Sequence, residues 1–289
     1  MKLILFFIDG FGIGEKNPQI NPIEASNSPN IHFLMEREIM IPTDVSLDVE
    51  GIPQSATGQT ALFTGINASK ILGHHLNGYP SPTLRKILLE HSIFKRLKDL
   101  GFTVTNANMY NKKYLDSLDK TRLTMASCST VATIAASIPF RTVEDMQNYN
   151  AVYQDITNHI LIDMGYDVPL REPEEAAEIL LKISRSYDFT FFEYFQTDIT
   201  GHKQDFNKAV KIIELLDRFI GRLVRDLNRE DTLLMITSDH GNVEDMSVST
   251  HTKNKVPTFL IGNRAKEMAG RIKTILDITP AILWYFAEV

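Results

Sequence analysis

The strongest constraint on the fold of this chain is a layout that occurs three times: an apolar run, then an acid just past its end, with glycine close by. Thr232-Leu233-Leu234-Met235-Ile236 leads through Thr237-Ser238 to Asp239-His240-Gly241. Leu3 to Ile8 leads to Asp9-Gly10, and Phe189 to Phe195 leads to Asp198, with Gly201 and His202 after it. Short continuous apolar runs read as strands buried on both faces. An α/β sheet with helices on both sides provides that burial. In open sheets of this kind ligands gather outside the carboxyl ends of the strands, where all three acids stand. One such acid reads equally well as a polar turn. The recurrence favours a site.

The segments between these runs read as helices. Ser28 is placed as N-cap and Pro29 as first helical residue of a helix through Leu34. In Gly51 to Gly65, Pro53 favours an extended entry, Ser55 begins a helix and Gly65 ends it. Thr83 to Leu100 is an amphipathic helix with a break near Ser92, followed by a strand within Gly101 to Ala107. Glu172 to Tyr187 and Lys208 to Leu227 are further helices, Val256 to Gly262 is a last strand, and a final helix starts at Leu276. Helix followed by strand, repeated, predicts a mostly parallel sheet in one domain over 1–289. Between about 109 and 169 the alternation is lost. This stretch reads as a small cap or insertion, with Ala151 to Met164 as one of its helices.

Bulk properties narrow the partners. The 289 residues carry a net charge of -6, which argues against nucleic acid or an anionic membrane surface as main partner. No segment reaches membrane-spanning length, and the N-terminal run is too short for a secretory signal, so the cytoplasm is the expected location. Cys128 is the single cysteine, which excludes an internal disulfide and favours a buried apolar role. Oligomeric state is not legible.

The polar groups at the strand ends form one set: Asp9, Ser55, Asp198, His202, Asp239, His240 and His251. Asp198 and His202, four residues apart, share one side of a helical turn. Three carboxylates, three imidazoles and a hydroxyl make two mixed oxygen/nitrogen sites for divalent ions, Mn2+ or Zn2+ first and Mg2+ as a third candidate. Two such ions would balance three aspartates and an ionised serine, so an acidic protein could accept a phosphate dianion. Two metals can lower the pKa of a serine and clamp both oxygens of an in-line displacement. Ser55, at a helix N-terminus where negative charge is favoured, is the candidate nucleophile. Thr57 and Thr60 in the same loop are rivals. Thr57 and Lys253 are candidate substrate contacts, as are His74 and His75.

These motifs resemble the alkaline phosphatase superfamily of metalloenzymes, and within it cofactor-independent phosphoglycerate mutase most closely, then phosphopentomutase. The resemblance rests on Asp239-His240-Gly241-Asn242-x-Glu244, His251-Thr252-x-Asn254-x-Val256-Pro257, Asp198-x-x-Gly201-His202, Asp9-Gly10-x-Gly12, Ala25-x-x-Ser28-Pro29-Asn30, Ser55-x-x-Gly58 and Leu276-Asp277-Ile278-Thr279-Pro280. It covers both ends of the chain and leaves out the middle. It implies an alkaline-phosphatase-like three-layer sandwich. It also implies that Asp198, His202 and His251 bind one metal and that Asp9, Asp239 and His240 bind the other, beside Ser55. Two departures stand out. Gln59 occupies the place of a histidine in the mutase nucleophile loop, and the large Arg- and Lys-rich domain that closes over the mutase substrate is replaced by a short segment. A mutase must keep water from its phosphoseryl intermediate. The expectation is therefore a phosphohydrolase acting on a small phosphate ester, with a phosphomutase, or a metal-binding relative without catalysis, as alternatives.

Overall fold

A computed structural model describes residues 1–120 and 123–287. Its centre is one six-stranded sheet built from β1 (Lys2–Ile8), β2 (Ile39–Thr43), β3 (Val104–Asn106), β4 (Phe189–Tyr194), β5 (Thr232–Thr237) and β6 (Val256–Gly262). Their order across the sheet is β2-β6-β5-β1-β4-β3. β1 pairs in parallel with both β4 and β5, and β3 pairs in parallel with β4. β6 runs antiparallel to both β5 and β2, so it alone opposes the common direction and the sheet is mixed.

Side chains alternate across β1 and divide the core in two. Ile4, Phe6 and Ile8 pack with the helices Pro29–Arg37, Pro173–Ser184 and Phe206–Asp226. Leu3, Leu5 and Phe7 pack with Ser55–Thr64, Pro82–His91, Ile93–Asp99, Cys128–Ala135 and Ile278–Ala287. Helices on both faces explain why these strands are apolar at every position rather than at alternate ones. Aromatic rings join the layers: Phe6 meets Phe219 at 5.3 Å between centroids and Phe7 meets Phe63 at 5.8 Å. Because β1, β4 and β5 are parallel neighbours, their carboxyl ends lie on one edge of the sheet.

Several expected elements are redrawn by the structure. β2 has no counterpart in the sequence reading, because Pro42 disguises it. Its position at the sheet edge tolerates the missing N–H. Ser92 ends one helix and caps the next, as the break there suggests. Of Ala151 to Met164, only His159–Asp163 is helical. Ile156 and Asn158 hold left-handed backbone at φ 58° and 67°, which no helix accommodates. Instead Val152 exchanges backbone hydrogen bonds with Ala107 and Met109 at 2.9 and 2.8 Å, tying this stretch to the end of β3. Within 109–169, Met109, Met146, Ala151, Tyr153 and Leu161 share a small cluster of their own. The Cys128–Ala135 helix belongs to the main layer, and burial pushes the Cys128 thiol pKa up.

Candidate active site

The three acids emerge where the sheet ends. Asp9 follows β1 directly, Asp239 stands two residues past β5, and Asp198 lies in the first turn of the helix Gln196–Lys203 after β4. Gly10 lets them close up. It takes φ +68°, and a Cβ there would meet the Asp198 side chain at 2.9 Å. At Gly241 a side chain would run into Glu244 and Thr252, so the turn after His240 needs glycine for space.

The histidines arrive from three elements and converge. His240 Nε2 lies 3.3 Å from Asp9 Oδ1 and 3.5 Å from Asp239 Oδ2. His251 Nε2 lies 3.3 Å from Asp198 Oδ1 and 2.9 Å from His202 Nε2, which is itself 3.5 Å from Asp198 Oδ2. The His240 and His251 rings stack with centroids 3.7 Å apart. Each ring is oriented in the same way: Nδ1 faces a backbone carbonyl, of Gly241 for His240, Pro53 for His251 and Ser249 for His202. An Nδ1–H held by a carbonyl fixes the tautomer and leaves the Nε2 lone pair free. Three Nε2 atoms therefore point into one cluster of carboxylates.

Ser55 completes the group. It is the first residue of the Ser55–Thr64 helix, with Gln54 in the cap position, and its Oγ lies 3.0 Å from His240 Nε2. It is 9% exposed, enough to meet a ligand from the cleft.

The electrostatics describe a site short of positive charge. Burial, then the neighbouring Asp239 and Asp198, push the Asp9 carboxyl up to about 7. Burial pushes Asp239 up to about 6 against the pull of His240. Burial opposes charge on His240, yet Asp239, Asp9 and Asp198 outweigh it and hold the imidazole up at about 10. Burial also disfavours ionised Asp198, but His251, His240 and Asn242 hold its carboxyl down at about 2. Asp9 Oδ1 and both carboxyl oxygens of Asp239 are buried without a hydrogen-bond partner, a state that costs free energy unless a cation completes it. Two groups satisfy the spacing for a metal ion, Asp9/Asp239/His240 and Asp198/His240/His251, each with its donor atoms within 4.8 Å of one another. His202 adjoins the second. Oxygen and imidazole donors without thiolate suit hard or borderline divalent ions, so the residues present fit such ions.

A second set of side chains holds these donors in place. Gln59 Nε2 donates to Asp9 Oδ2 at 3.2 Å, and Asn242 Nδ2 donates to Asp198 Oδ1 at 2.6 Å. The fully buried Glu244 ties three loops. It accepts from Gly12 N at 2.9 Å, Asn242 N at 2.7 Å and Thr252 Oγ1 at 2.5 Å. Other candidates from the sequence stand apart. The Thr57 hydroxyl donates to Gln54 O at 3.1 Å and accepts from Leu76 N at 3.2 Å, pinning the 73–79 loop to the start of the Ser55–Thr64 helix. Thr60 donates to Ala56 O inside the same helix. His75 bonds Ser69 and Val49, while Lys253 and His74 are exposed and do not line the cleft.

The cleft in front of Ser55 has a volume of about 500 Å³. Sequence reasoning passed over Glu193 at its floor. This carboxyl, in the middle of an aromatic strand, accepts from Ser129 Oγ at 2.5 Å, and burial pushes it up to about 7. A lone acid in a run buried on both faces was the available signal.

A model of the protein family described as the Metalloenzyme superfamily matches residues 1–287. The chain belongs to this superfamily. Its relatives include 2,3-bisphosphoglycerate-independent phosphoglycerate mutases. That of Methylobacillus flagellatus is 34% identical over 108 residues, which is 35% of this chain and 21% of the relative. That of Nitrosococcus oceani is 36% identical over 108 residues, again 35% of this chain and 21% of the relative. The chain thus spans about a fifth of the length of the relatives it matches. Among solved structures, the PH0037 protein from Pyrococcus horikoshii superposes with a TM-score of 0.62 at 18% identity, over 98% of this chain and 95% of that one. The alkaline phosphatase of the Antarctic bacterium TAB5 superposes with a TM-score of 0.57 at 15% identity, over 98% and 96%. The fold of this superfamily member is alkaline-phosphatase-like. Among its described residues, no helix is long and apolar enough to cross a membrane.

Proposed function

We propose that this chain is a two-metal-dependent phosphoryl-transfer enzyme that uses Ser55 as nucleophile and acts as a phosphohydrolase on a small phosphate ester. The observation that supports this most is the Ser55 hydroxyl, 3.0 Å from His240 Nε2, at a helix N-terminus beside two groups of metal-type donors. On this reading Asp9, Asp239 and His240 hold one ion, and Asp198, His202 and His251 the other. Mn2+ or Zn2+ are the preferred ions, with Mg2+ as a third. When bound, the ions supply neutralising charge and a lowered serine pKa.

The chain's own residues then divide the work. Ser55 gives up its proton to solvent water, and its Oγ forms a bond to phosphorus while the bond from phosphorus to the ester oxygen breaks. The departing oxygen takes a proton and leaves as an alcohol. Water next attacks the phosphoseryl group, the P–Oγ bond breaks, and Ser55 recovers its proton as phosphate departs. Gln59 and Asn242 keep Asp9 and Asp198 oriented through both halves. The helix N-terminus at Ser55 favours the phosphoryl charge. The 109–169 segment is read as the cap, since it lines the cleft with Met109, Tyr110, Asn111, Tyr114, Tyr153 and Gln154.

Phosphomutase activity is the second reading, favoured by the mutases among the relatives. Against it, no lysine or arginine among the described residues lines the cleft to grip a returning phosphoglycerate. Assaying free phosphate and isomerised product together, on phosphomonoesters, a phosphodiester and 3-phosphoglycerate, separates the two. Released phosphate supports the hydrolase. Isomerised product without free phosphate selects the mutase.

A further inference from the structure

Beyond the donor cluster, the wall of the cleft differs from what a doubly anionic substrate needs. Tyr110, Tyr114 and Tyr153 line it, the first two anchored through their hydroxyls and the third by packing. Tyr110 Oη accepts from Asn106 Nδ2 at 3.0 Å. Tyr114 Oη bonds Thr130 Oγ1 at 3.0 Å. Tyr153 is 7% exposed and packs with Met109, Ala151 and Leu161. Burial pushes all three pKa values up, so the phenols stay neutral. Tyr79, 48% exposed, stands on the 73–79 loop that Thr57 pins beside Ser55. The carboxylic groups lining the cleft are Asp9, Asp198 and Glu193, and no lysine or arginine among the described residues joins them.

Resting on the phosphoryl-transfer reading above, we infer that the substrate's leaving group is an uncharged alcohol bearing a planar ring, of the aryl or nucleoside kind. Anchored phenols form a stiff apolar surface, and rings pack on such surfaces face to edge or offset. Asn111 and Gln154 in the cleft lining add neutral hydrogen-bonding groups for the ring's substituents, and Asn77 adds another beside Ser55. A second phosphate or a carboxylate on the leaving group would meet this wall without a cation, close to Glu193, and an unpaired anion out of water is strongly disfavoured. Divalent ions at the donor cluster would satisfy the transferred phosphoryl group and leave nothing over for a second anion.

The test ranks phenyl phosphate, a nucleoside 5′-monophosphate, glycerol phosphate and 3-phosphoglycerate. Metal-loaded protein should show kcat/KM for the first two about tenfold above glycerol phosphate and about a hundredfold above 3-phosphoglycerate. The first two compared with each other tell aryl from nucleoside preference. Calorimetric binding to Ser55→Ala protein should rank the four alike without any turnover, which removes leaving-group reactivity from the comparison. Tyr79→Ala, at an exposed position, should raise KM for the ring-bearing esters severalfold more than it raises KM for glycerol phosphate. Equal binding of all four esters, or preference for 3-phosphoglycerate, overturns the inference and leaves the Ser55 reading standing. Turnover that survives Ser55→Ala overturns the Ser55 reading, while the binding order still judges the wall.

Discussion

The two sides of the cleft are built on opposite principles. On one side, seven groups from the ends of β1, β4 and β5 and from the loops and helix beside them crowd together. Asp9 and Asp239 are buried, the imidazoles are clamped through Nδ1 to backbone carbonyls, and three carboxyl oxygens lack any hydrogen-bond partner. On the other side stand neutral phenols and amides from irregular segments and from the Lys112–Lys120 helix, with the Tyr110 and Tyr114 hydroxyls hydrogen-bonded. The first side is a charged frame that is incomplete without cations. The second is a finished surface that needs nothing but a shape to fit. Rigid strand ends suit chemistry that tolerates little displacement, and loops suit selection, which varies from one substrate to another.

The sharpest way to break this division is to remove the nucleophile alone. Ser55→Ala should lower phosphate release by about a thousandfold or more and leave the metal content, read by elemental analysis, as it was. Loss of metal along with activity would mean that Ser55 is part of the frame rather than its passenger. Next in size is a change behind the frame. Asn242→Ala removes the bond to Asp198 Oδ1 and should weaken metal affinity by roughly 10- to 100-fold, measured against a competing chelator. Unchanged affinity would show that Asp198 needs no such support. On the neutral side, Tyr114→Phe removes a phenol hydroxyl that lies 3.0 Å from Thr130 Oγ1. It should cost about 1 kcal/mol of stability by denaturant unfolding, with kcat unchanged. A large drop in kcat would place Tyr114 with the chemistry.

The smallest effect is a slope. In metal-free protein, Asp9, Asp239 and Glu193 have folded pKa values raised to about 7, 6 and 7, so between pH 4 and 7 the folded state binds more protons than the unfolded one. Stability should therefore fall as pH rises through that window. His240, raised to about 10, contributes stability that is full below its ordinary value near 6.5 and is lost as pH rises through 10. Asp198, lowered to about 2, contributes above its ordinary range and loses that contribution only as pH falls toward 2. Metal-loaded protein should show the opposite slope between pH 5 and 7, because ions bind the deprotonated donors and protons compete with them. Thermal midpoints with and without metal across this range check both signs. Parallel slopes would mean that Asp9 and Asp239 are not metal ligands.

The charged frame was legible in the sequence and the neutral wall was not. Asp9, Asp198 and Asp239 interrupt or follow apolar runs, and a buried strand with a polar end is visible without coordinates. His240 and His202 sit within a few residues of them, and Gly65 closes the Ser55 helix in the left-handed conformation expected of a helix stop. By contrast, Asn77, Tyr79, Asn111 and Gln154 lie in irregular segments, where no period links sequence to position. Tyr153 reaches the cleft only because Val152 bonds across to Ala107 and Met109, a long-range pairing with no local sign. The direction of β6 escaped for a similar reason, since an apolar run is the same read either way. Glu193 was visible as a lone acid inside a strand and simply lacked a partner in the sequence; Ser129 supplies one from a distant helix.

The central claim is that phosphoryl groups pass through Ser55. Metal-loaded protein mixed with an excess of phosphate ester, quenched in acid within the first turnovers and fragmented for mass spectrometry, tests it directly. The account predicts a phosphoryl group on Ser55, at a level that falls when the ions are chelated before mixing. A phosphoryl group on Thr57 or Thr60, or steady turnover with no phosphoenzyme at any quench time, would contradict it.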